Sequence, residues 1–538
     1  MYVADRNAEM PEFVKITDKV SSVQDVKFSS LGIVLSTGNS VLFVPKSKLS
    51  QILDKHRLAA LNEAKSKGKA SSKVPRSLNF TKVVPIEISR KQHVLETDTT
   101  ALLKDLKPVK LIDLEKDEII TEIDFFDDSI MLYINKVSQL KLLFANLSNL
   151  TIEKDKAEVE FKQLDLGPDA RFGQVKPGVN HNSLQTDIRF FVDTPFSYAK
   201  AYDYHISTGK VDVIDQTKIS GKKFDWQQFE ITVVHAPTSD GCKVPITLIH
   251  KKGMVNKHGL PRRVMDPQKL LLKSYGCYGM NLNLDFSVAN WSLLERDWIL
   301  AFAHIRGGSE LGKEWHTSAT KNNKYKSVQD IISSAEYLVA NGFTHPSLLC
   351  ADSNSAGAGL LASSVNMNPT LFKAVHYNAP FLDIQGCLID PDQPLSQSDY
   401  TEFGNPTTDS RAFDSISSLC PYTNLKPADY PATLITAFAD DYRTPLWSVL
   451  KYTAKLRDAK VKHINDSRML HKDFRHRVAD INEGNVCLIV DEGSHVGTDD
   501  CDANTERAAL VAAYYEWIVE EKSLDVHREK KKVWQFWK

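Results

Sequence analysis

The stretch Leu348-Leu349-Cys350-Ala351-Asp352-Ser353-Asn354-Ser355-Ala356-Gly357-Ala358-Gly359-Leu360-Leu361 decides the fold. Leu348–Ala351 reads as a short buried strand, and Ala358–Val365 as a helix rich in small residues. A strand that turns sharply into a helix with a serine at the apex is the nucleophile elbow of an α/β hydrolase. Such a turn strains the serine backbone, so its neighbours must be small. Ala356 and Gly357 satisfy this on one side. Ser353 stands where the motif has its first glycine. Ser353 is itself a poorer nucleophile candidate, because no glycine stands two residues after it. The competing interpretation is a polar turn at the start of an ordinary helix.

A nucleophilic serine needs a base, and the base needs an orienting carboxylate. In this fold the chain order is Ser, Asp, His. Asp441 follows the expected strand Thr433–Ala437, with Asp440 as the neighbouring alternative. His495 lies in Gly493-Ser494-His495-Val496-Gly497, after the expected strand Val486–Val490. The other histidines of the interval, His463, His471 and His476, fall in a charged stretch that reads as a surface loop. The developing oxyanion also needs donors. The backbone N–H of Ala356 is one. The segment Ser274-Tyr275-Gly276-Cys277-Tyr278-Gly279, a buried strand running into glycines and tyrosines, offers a phenolic hydroxyl as another.

Outward from the elbow, strands alternate with helices from about Phe224 onward. The strands are Phe229–His235, Val244–Lys251, Lys269–Ser274 and Trp298–Ala303, then the three named above. Helices are expected at Val328–Ala340, Leu446–Leu456 and Glu506–Glu520. Ser327 and Asp330 read as a capping box opening the first of these. The alternation predicts a mostly parallel sheet covered on both faces. The earlier part instead reads as short strands, among them Gly32–Ser36, Ser129–Asn135, Gln139–Ala145, Ile188–Asp193 and Ala199–His205, which suggest a propeller or a sandwich. The expected class is α/β: an α/β-hydrolase domain over 224-538, preceded by a short, incomplete β-propeller domain over 1-223. A helical insertion with a flexible basic tail is expected near 50-77.

Composition limits the function classes. With 538 residues, two domains are the default. A net charge of −1 gives no electrostatic case for nucleic acid. The first residues, Met1 to Glu12, lack the apolar core of a secretory signal. No run reaches the roughly 20 apolar residues of a membrane span. Seven scattered cysteines without a CxxC pair indicate neither zinc nor a disulfide framework. The expectation is a cytoplasmic monomer without metal or cofactor.

Further runs complete the pattern: Tyr275-Gly276-Cys277-Tyr278-Gly279, Ile305-Arg306-Gly307-Gly308-Ser309-Glu310-Leu311-Gly312, Glu402-Phe403-Gly404-Asn405-Pro406, Cys420-Pro421-Tyr422 and Asp441-Tyr442-Arg443. With the elbow and Gly493-Ser494-His495, they resemble the prolyl oligopeptidase family of serine peptidases across roughly 225–520. The variant details are most similar to its prolyl endopeptidase-like branch, then to oligopeptidase B. The resemblance implies a hydrolase domain capped by a seven-bladed propeller that admits only small substrates. It implies Ser355 as nucleophile, His495 as base, Asp441 as orienter, and Tyr275 with the Ala356 amide as oxyanion hole. Arg443 matches the family arginine that binds a substrate carbonyl.

Departures qualify this. A seven-bladed ring takes about 300 residues at roughly 40–45 per blade. The shorter part here predicts an incomplete or divergent propeller, or a truncated product. No tryptophan is found against which a substrate proline would stack. Asp399 and Glu402 stand near the place where oligopeptidase B recognises a basic side chain, which makes Asp399 a candidate substrate contact. The expected function is a serine hydrolase forming an acyl-enzyme on small peptide, ester or thioester substrates. The alternative is a weak or inactive member that acts through protein partners. Its basis is the altered elbow and the short propeller.

Overall fold

The computed structural model describes residues 109–216 and 225–520, except 116, 154–155, 168–169, 181–184, 257–258, 262–266 and 471–485, plus the backbone of five short strands before residue 46. The expected insertion near 50-77 lies outside the described residues, as do His471 and His476. The chain forms two compact units, 1–218 and 219–538.

The first unit is a propeller built of antiparallel blades. Strands Asp25–Ser29, Gly32–Ser36, Ser40–Pro45 and Val109–Asp113 form one four-stranded sheet. Ile119–Phe125, Ser129–Lys136, Gln139–Asn146 and Lys162–Gln163 form a second. Gln174–Pro177, Asp187–Thr194, Ser197–His205 and Lys210–Gln216 form a third. In Asp187–Thr194, Ile188, Phe190, Val192 and Thr194 are buried while the intervening side chains face outward, the period-two pattern of a strand with one covered face. Ile188, Phe190 and Val192 join Tyr133, Phe144, Tyr202 and Tyr204 in one apolar cluster.

The second unit carries an eight-stranded sheet. Its strands are β1 (Phe229–Pro237), β2 (Lys243–Lys251), β3 (Leu270–Ser274), β4 (Ile299–Ala303), β5 (Leu349–Asn354), β6 (Ala374–Asn378), β7 (Ala432–Phe438) and β8 (Val486–Asp491). Their order across the sheet is β1-β2-β4-β3-β5-β6-β7-β8. β1 and β2 are antiparallel, β2 meets β4 antiparallel, and every later pairing is parallel. Every residue of β4 and β7 is buried, as expected where helices cover both faces of a parallel sheet. The helices are α1 (Val288–Leu294), α2 (Lys313–Thr317), α3 (Tyr325–Ala340), α4 (Ser355–Met367), α5 (Ile384–Ile389), α6 (Ser396–Phe403), α7 (Ser410–Leu419), α8 (Leu446–Leu470) and α9 (Cys501–Val519).

Two local expectations are corrected. α3 begins three residues before the expected start, and its N-cap, Lys324, makes no side-chain capping bond. Ser327 and Asp330 therefore lie inside the helix and serve tertiary contacts instead. The Ser327 hydroxyl donates to the Arg306 carbonyl at 2.7 Å. The Asp330 carboxylate receives the Arg306 amide at 2.9 Å and its guanidinium at 2.9 and 2.7 Å. Likewise α8 runs on to Leu470, so His463 sits on a helix rather than in a loop.

Arg306 also reaches Asp240 at 2.6 Å, so one guanidinium ties the β1–β2 turn to α3. Asp330 is fully buried. Removing one member of such a pair strands a buried charge at a cost of about 3–5 kcal/mol. Arg306→Met is therefore expected to lower unfolding free energy by about that amount in urea titration, whereas Lys251→Met, in an exposed pair with Asp297, should change it by under about 1 kcal/mol.

Candidate active site

β5 extends through Asn354, and Ser355 is the first residue of α4. Ser355 has φ = +53°, a left-handed conformation that a non-glycine residue adopts only when its surroundings impose it. The Phe381 amide holds the Ser355 carbonyl at 3.0 Å. Gly357 fixes the other side: a Cβ there would sit 2.7 Å from Ser353 Oγ and 2.9 Å from Tyr275 Cα. Only glycine lets the helix start this close to the β3 loop.

Ser353 has a tertiary role in place of the missing glycine. It is buried, and its hydroxyl donates to the Ser274 carbonyl at 2.6 Å. It thereby ties the elbow to the end of β3, immediately before Tyr275. The structural reason to regard the altered elbow as damaged disappears.

The loops after β5, β7 and β8 converge at the carboxyl edge of the sheet, where open α/β sheets place their ligands. His495 Nε2 lies 2.9 Å from Ser355 Oγ, and His495 Nδ1 lies 2.7 Å from Asp441 Oδ2. Asp441 is buried, whereas Asp440 is exposed and its amide donates to the Gly493 carbonyl. Geometry thus separates the two aspartates. Burial alone would raise the Asp441 carboxyl, but hydrogen bonds from His495 and Thr444 outweigh it and hold the group below its usual range. An ionised Asp441 fixes the proton on His495 Nδ1 and leaves Nε2 free to accept from Ser355.

Thr444 is a site residue the sequence reading did not single out. Its hydroxyl lies 2.7 Å from Asp441 Oδ2 and 3.0 Å from the Ala379 carbonyl. The Arg443 and Thr444 amides both donate to Asp441 Oδ1 at 2.9 Å. An aspartate followed two and three residues later by its own amide donors is an Asx-type turn, and Asp441-Tyr442-Arg443-Thr444 carried that signal.

The remaining candidates divide. Tyr275 is buried, and burial pushes its hydroxyl well above the usual value, so it stays protonated as a donor. Ala356 is the second residue of α4, in the first turn, where amides lack intrahelical acceptors. Arg443 and Asp399 line one open pocket together with Phe381, Leu395 and Tyr442. Phe381 and Tyr442 adjoin the elbow and Asp441, which places the pocket beside the serine. The Tyr278 hydroxyl donates to Asp399 at 3.2 Å. Burial raises the Asp399 carboxyl to about 6, and nearby Glu402 adds to the shift. Glu402 itself is taken up by Lys324 at 2.5 Å and His316 at 2.8 Å, so of the two neighbouring acids Asp399 faces the pocket.

The model of the prolyl oligopeptidase family matches residues 284–483. Over those residues the chain is similar to that family. A prolyl endopeptidase-like protein of Xenopus laevis is 28% identical over 438 residues, which are 81% of this chain and 57% of that protein. The human prolyl endopeptidase-like protein is 31% identical over 361 residues, 66% of this chain and 45% of its own length. The chain therefore spans about half the length of the curated relatives it matches. Oligopeptidase B from Leishmania major superposes with a TM-score of 0.69 at 20% identity, covering 96% of this chain and 61% of that one. The family fold of propeller and α/β hydrolase is thus this chain's fold.

The hydrogen bond from Thr444 to a charged acceptor is the kind worth about 1.5–3 kcal/mol. Thr444→Val should fold normally and react at Ser355 about 10-fold to 100-fold more slowly. Asp441→Asn should cost more, about 10⁴-fold, by favouring the wrong tautomer, and Asp440→Asn should cost little. Stopped-flow rates of serine modification across the three variants check the ranking.

Proposed function

We propose that this chain is a serine hydrolase that cleaves short peptides, or esters of similar size, through an acyl-enzyme. The observation that carries the reading is the continuous hydrogen-bonded chain from Ser355 through His495 to Asp441, with the serine on a strained elbow. Ser355 Oγ attacks the substrate carbonyl carbon while its proton passes to His495 Nε2. Asp441 stabilises the resulting imidazolium. The Tyr275 hydroxyl and the Ala356 amide receive the negative charge on the carbonyl oxygen, a contribution worth about 10²–10³ in rate per donor in comparable sites. The imidazolium then protonates the leaving group as the bond breaks. Water, deprotonated by His495, repeats the sequence in reverse to free Ser355. Arg443, exposed at the pocket mouth, holds a substrate carbonyl. The seven unpaired thiols fit a reducing compartment such as the cytosol, and the site draws all its groups from one chain, consistent with a working monomer.

Asp399 gives the pocket its one acidic wall, which favours a substrate with a cationic side chain. The sign is fixed by the raised carboxyl value near 6: the group is neutral below that pH and anionic above it. The ratio of kcat/KM for an arginyl ester over a norleucyl ester should rise as pH increases through about 6, and Asp399→Asn should flatten it. A ratio independent of pH in the unaltered protein contradicts this role.

A fluorophosphonate probe tests the main reading. It should label the full chain and fail to label Ser355→Ala. Folded protein that resists the probe, or equal labelling of the alanine variant, overturns the assignment.

A further inference from the structure

Lys324 is buried at the start of α3, with 1% of its surface exposed. Both circumstances are unfavourable for a cation. Burial strips its hydration, and a helix N-terminus carries partial positive charge. Its contacts explain what holds it there. The ammonium donates to the Gly276 carbonyl at 2.7 Å and to Glu402 Oε1 at 2.5 Å, and it lies 5.6 Å from the centre of the Phe403 ring. The Glu402 carboxylate is completed by His316 Nε2 at 2.8 Å.

These contacts bracket Tyr275. The carbonyl preceding it, of Ser274, is held by the Ser353 hydroxyl at 2.6 Å. The carbonyl following it, of Gly276, is held by Lys324. The backbone between has no slack. Gly276 has φ = +72° and a Cβ on it would meet the Ile305 side chain at 2.5 Å; a Cβ on Gly307 would come within 2.0 Å of the Gly276 oxygen. At the far end of the loop, the Gly279 amide donates to the Gly307 carbonyl at 2.9 Å, and the His316 ring lies 3.3 Å from where a Gly279 Cβ would be. Losing the Lys324 donor takes the shortest anchor from the Gly276–Cys277 peptide, one residue past Tyr275, and leaves only the Ser327 hydroxyl at 3.5 Å, so the phenol shifts with it. A displacement on the order of 1 Å suffices to cost about 10²-fold in a positioned site.

We propose that Lys324 is a positioning residue: by fixing the Gly276 carbonyl it aims the Tyr275 hydroxyl at the oxyanion formed on Ser355. The assignment rests on Ser355 being the nucleophile. A purely structural pair predicts a different outcome, because buried ion pairs are replaceable by apolar groups with little loss of stability. Loss of Lys324 through general destabilisation would also add to the effect of any Tyr275 change, whereas two residues acting through one hydroxyl do not add.

The test uses the full-length chain and a fluorophosphonate probe, with the second-order labelling rate and the thermal midpoint measured for each variant. Lys324→Met should slow labelling about 10-fold to 100-fold. Tyr275→Phe should slow it by at least as much, and the double variant should be no slower than Tyr275→Phe alone. Lys324→Met combined with Glu402→Gln removes both charges together and keeps the fold while showing the same slow rate. Lys324→Gln, which retains an N–H for the Gly276 carbonyl, should recover part of the rate. If the unaltered chain is not labelled at Ser355, the nucleophile reading fails. If it is labelled and the folded Lys324 variants react at its rate, or Tyr275→Phe costs its full factor in the Lys324→Met background, the positioning role is wrong.

Discussion

The left-handed backbone of Ser355 is the constraint on which the site depends. Holding a serine at φ = +53° costs on the order of 1–3 kcal/mol and persists because its neighbours leave no alternative. β5 lies mid-sheet between β3 and β6, so the strand cannot shift. The Phe381 amide clamps the serine carbonyl, and Gly357 packs directly on Tyr275. The same contacts that impose the strain therefore place the phenolic donor beside the nucleophile. Ser355 and Tyr275 thus belong to one packing unit and are not two features that happen to be near each other.

Much of this was legible in the sequence because it is written locally. Strands appear as short apolar or alternating runs, and Gly32–Ser36, Ser129–Lys136 and Val486–Asp491 fall close to where their residues place them. The order of Ser355, Asp441 and His495 follows from the fold's topology, and the structure brings those three together with Tyr275. What could not be read depends on partners distant in the chain. Ser353 looked like a defect because its acceptor, the Ser274 carbonyl, is 79 residues away. Ser327 and Asp330 imitate a capping box, yet the buried Arg306 takes both. Glu402 looked available to substrate until Lys324, 78 residues earlier, was seen to occupy it. Spacing alone did not separate Asp440 from Asp441; burial and the Asx-type turn at Thr444 do.

Charge in the second unit is distributed by the same logic. Several buried acids of this unit are paired inside the fold: Asp330 with Arg306, Glu402 with Lys324 and His316, Asp383 with Lys451. Asp441 is committed to His495. Asp399 is left with a tyrosine hydroxyl rather than a cation, so its charge responds to pH and to whatever enters the pocket. In the proposed reaction, rate and selectivity would reside in different carboxylates, one held ionised and one poised.

A crystal structure of the chain with a peptide aldehyde bound is the most direct test of the whole account. It should show a hemiacetal on Ser355 Oγ with its oxygen within hydrogen-bond distance of both the Tyr275 hydroxyl and the Ala356 amide. An adduct on another residue such as Ser353, or a hemiacetal oxygen turned away from Tyr275, would contradict it.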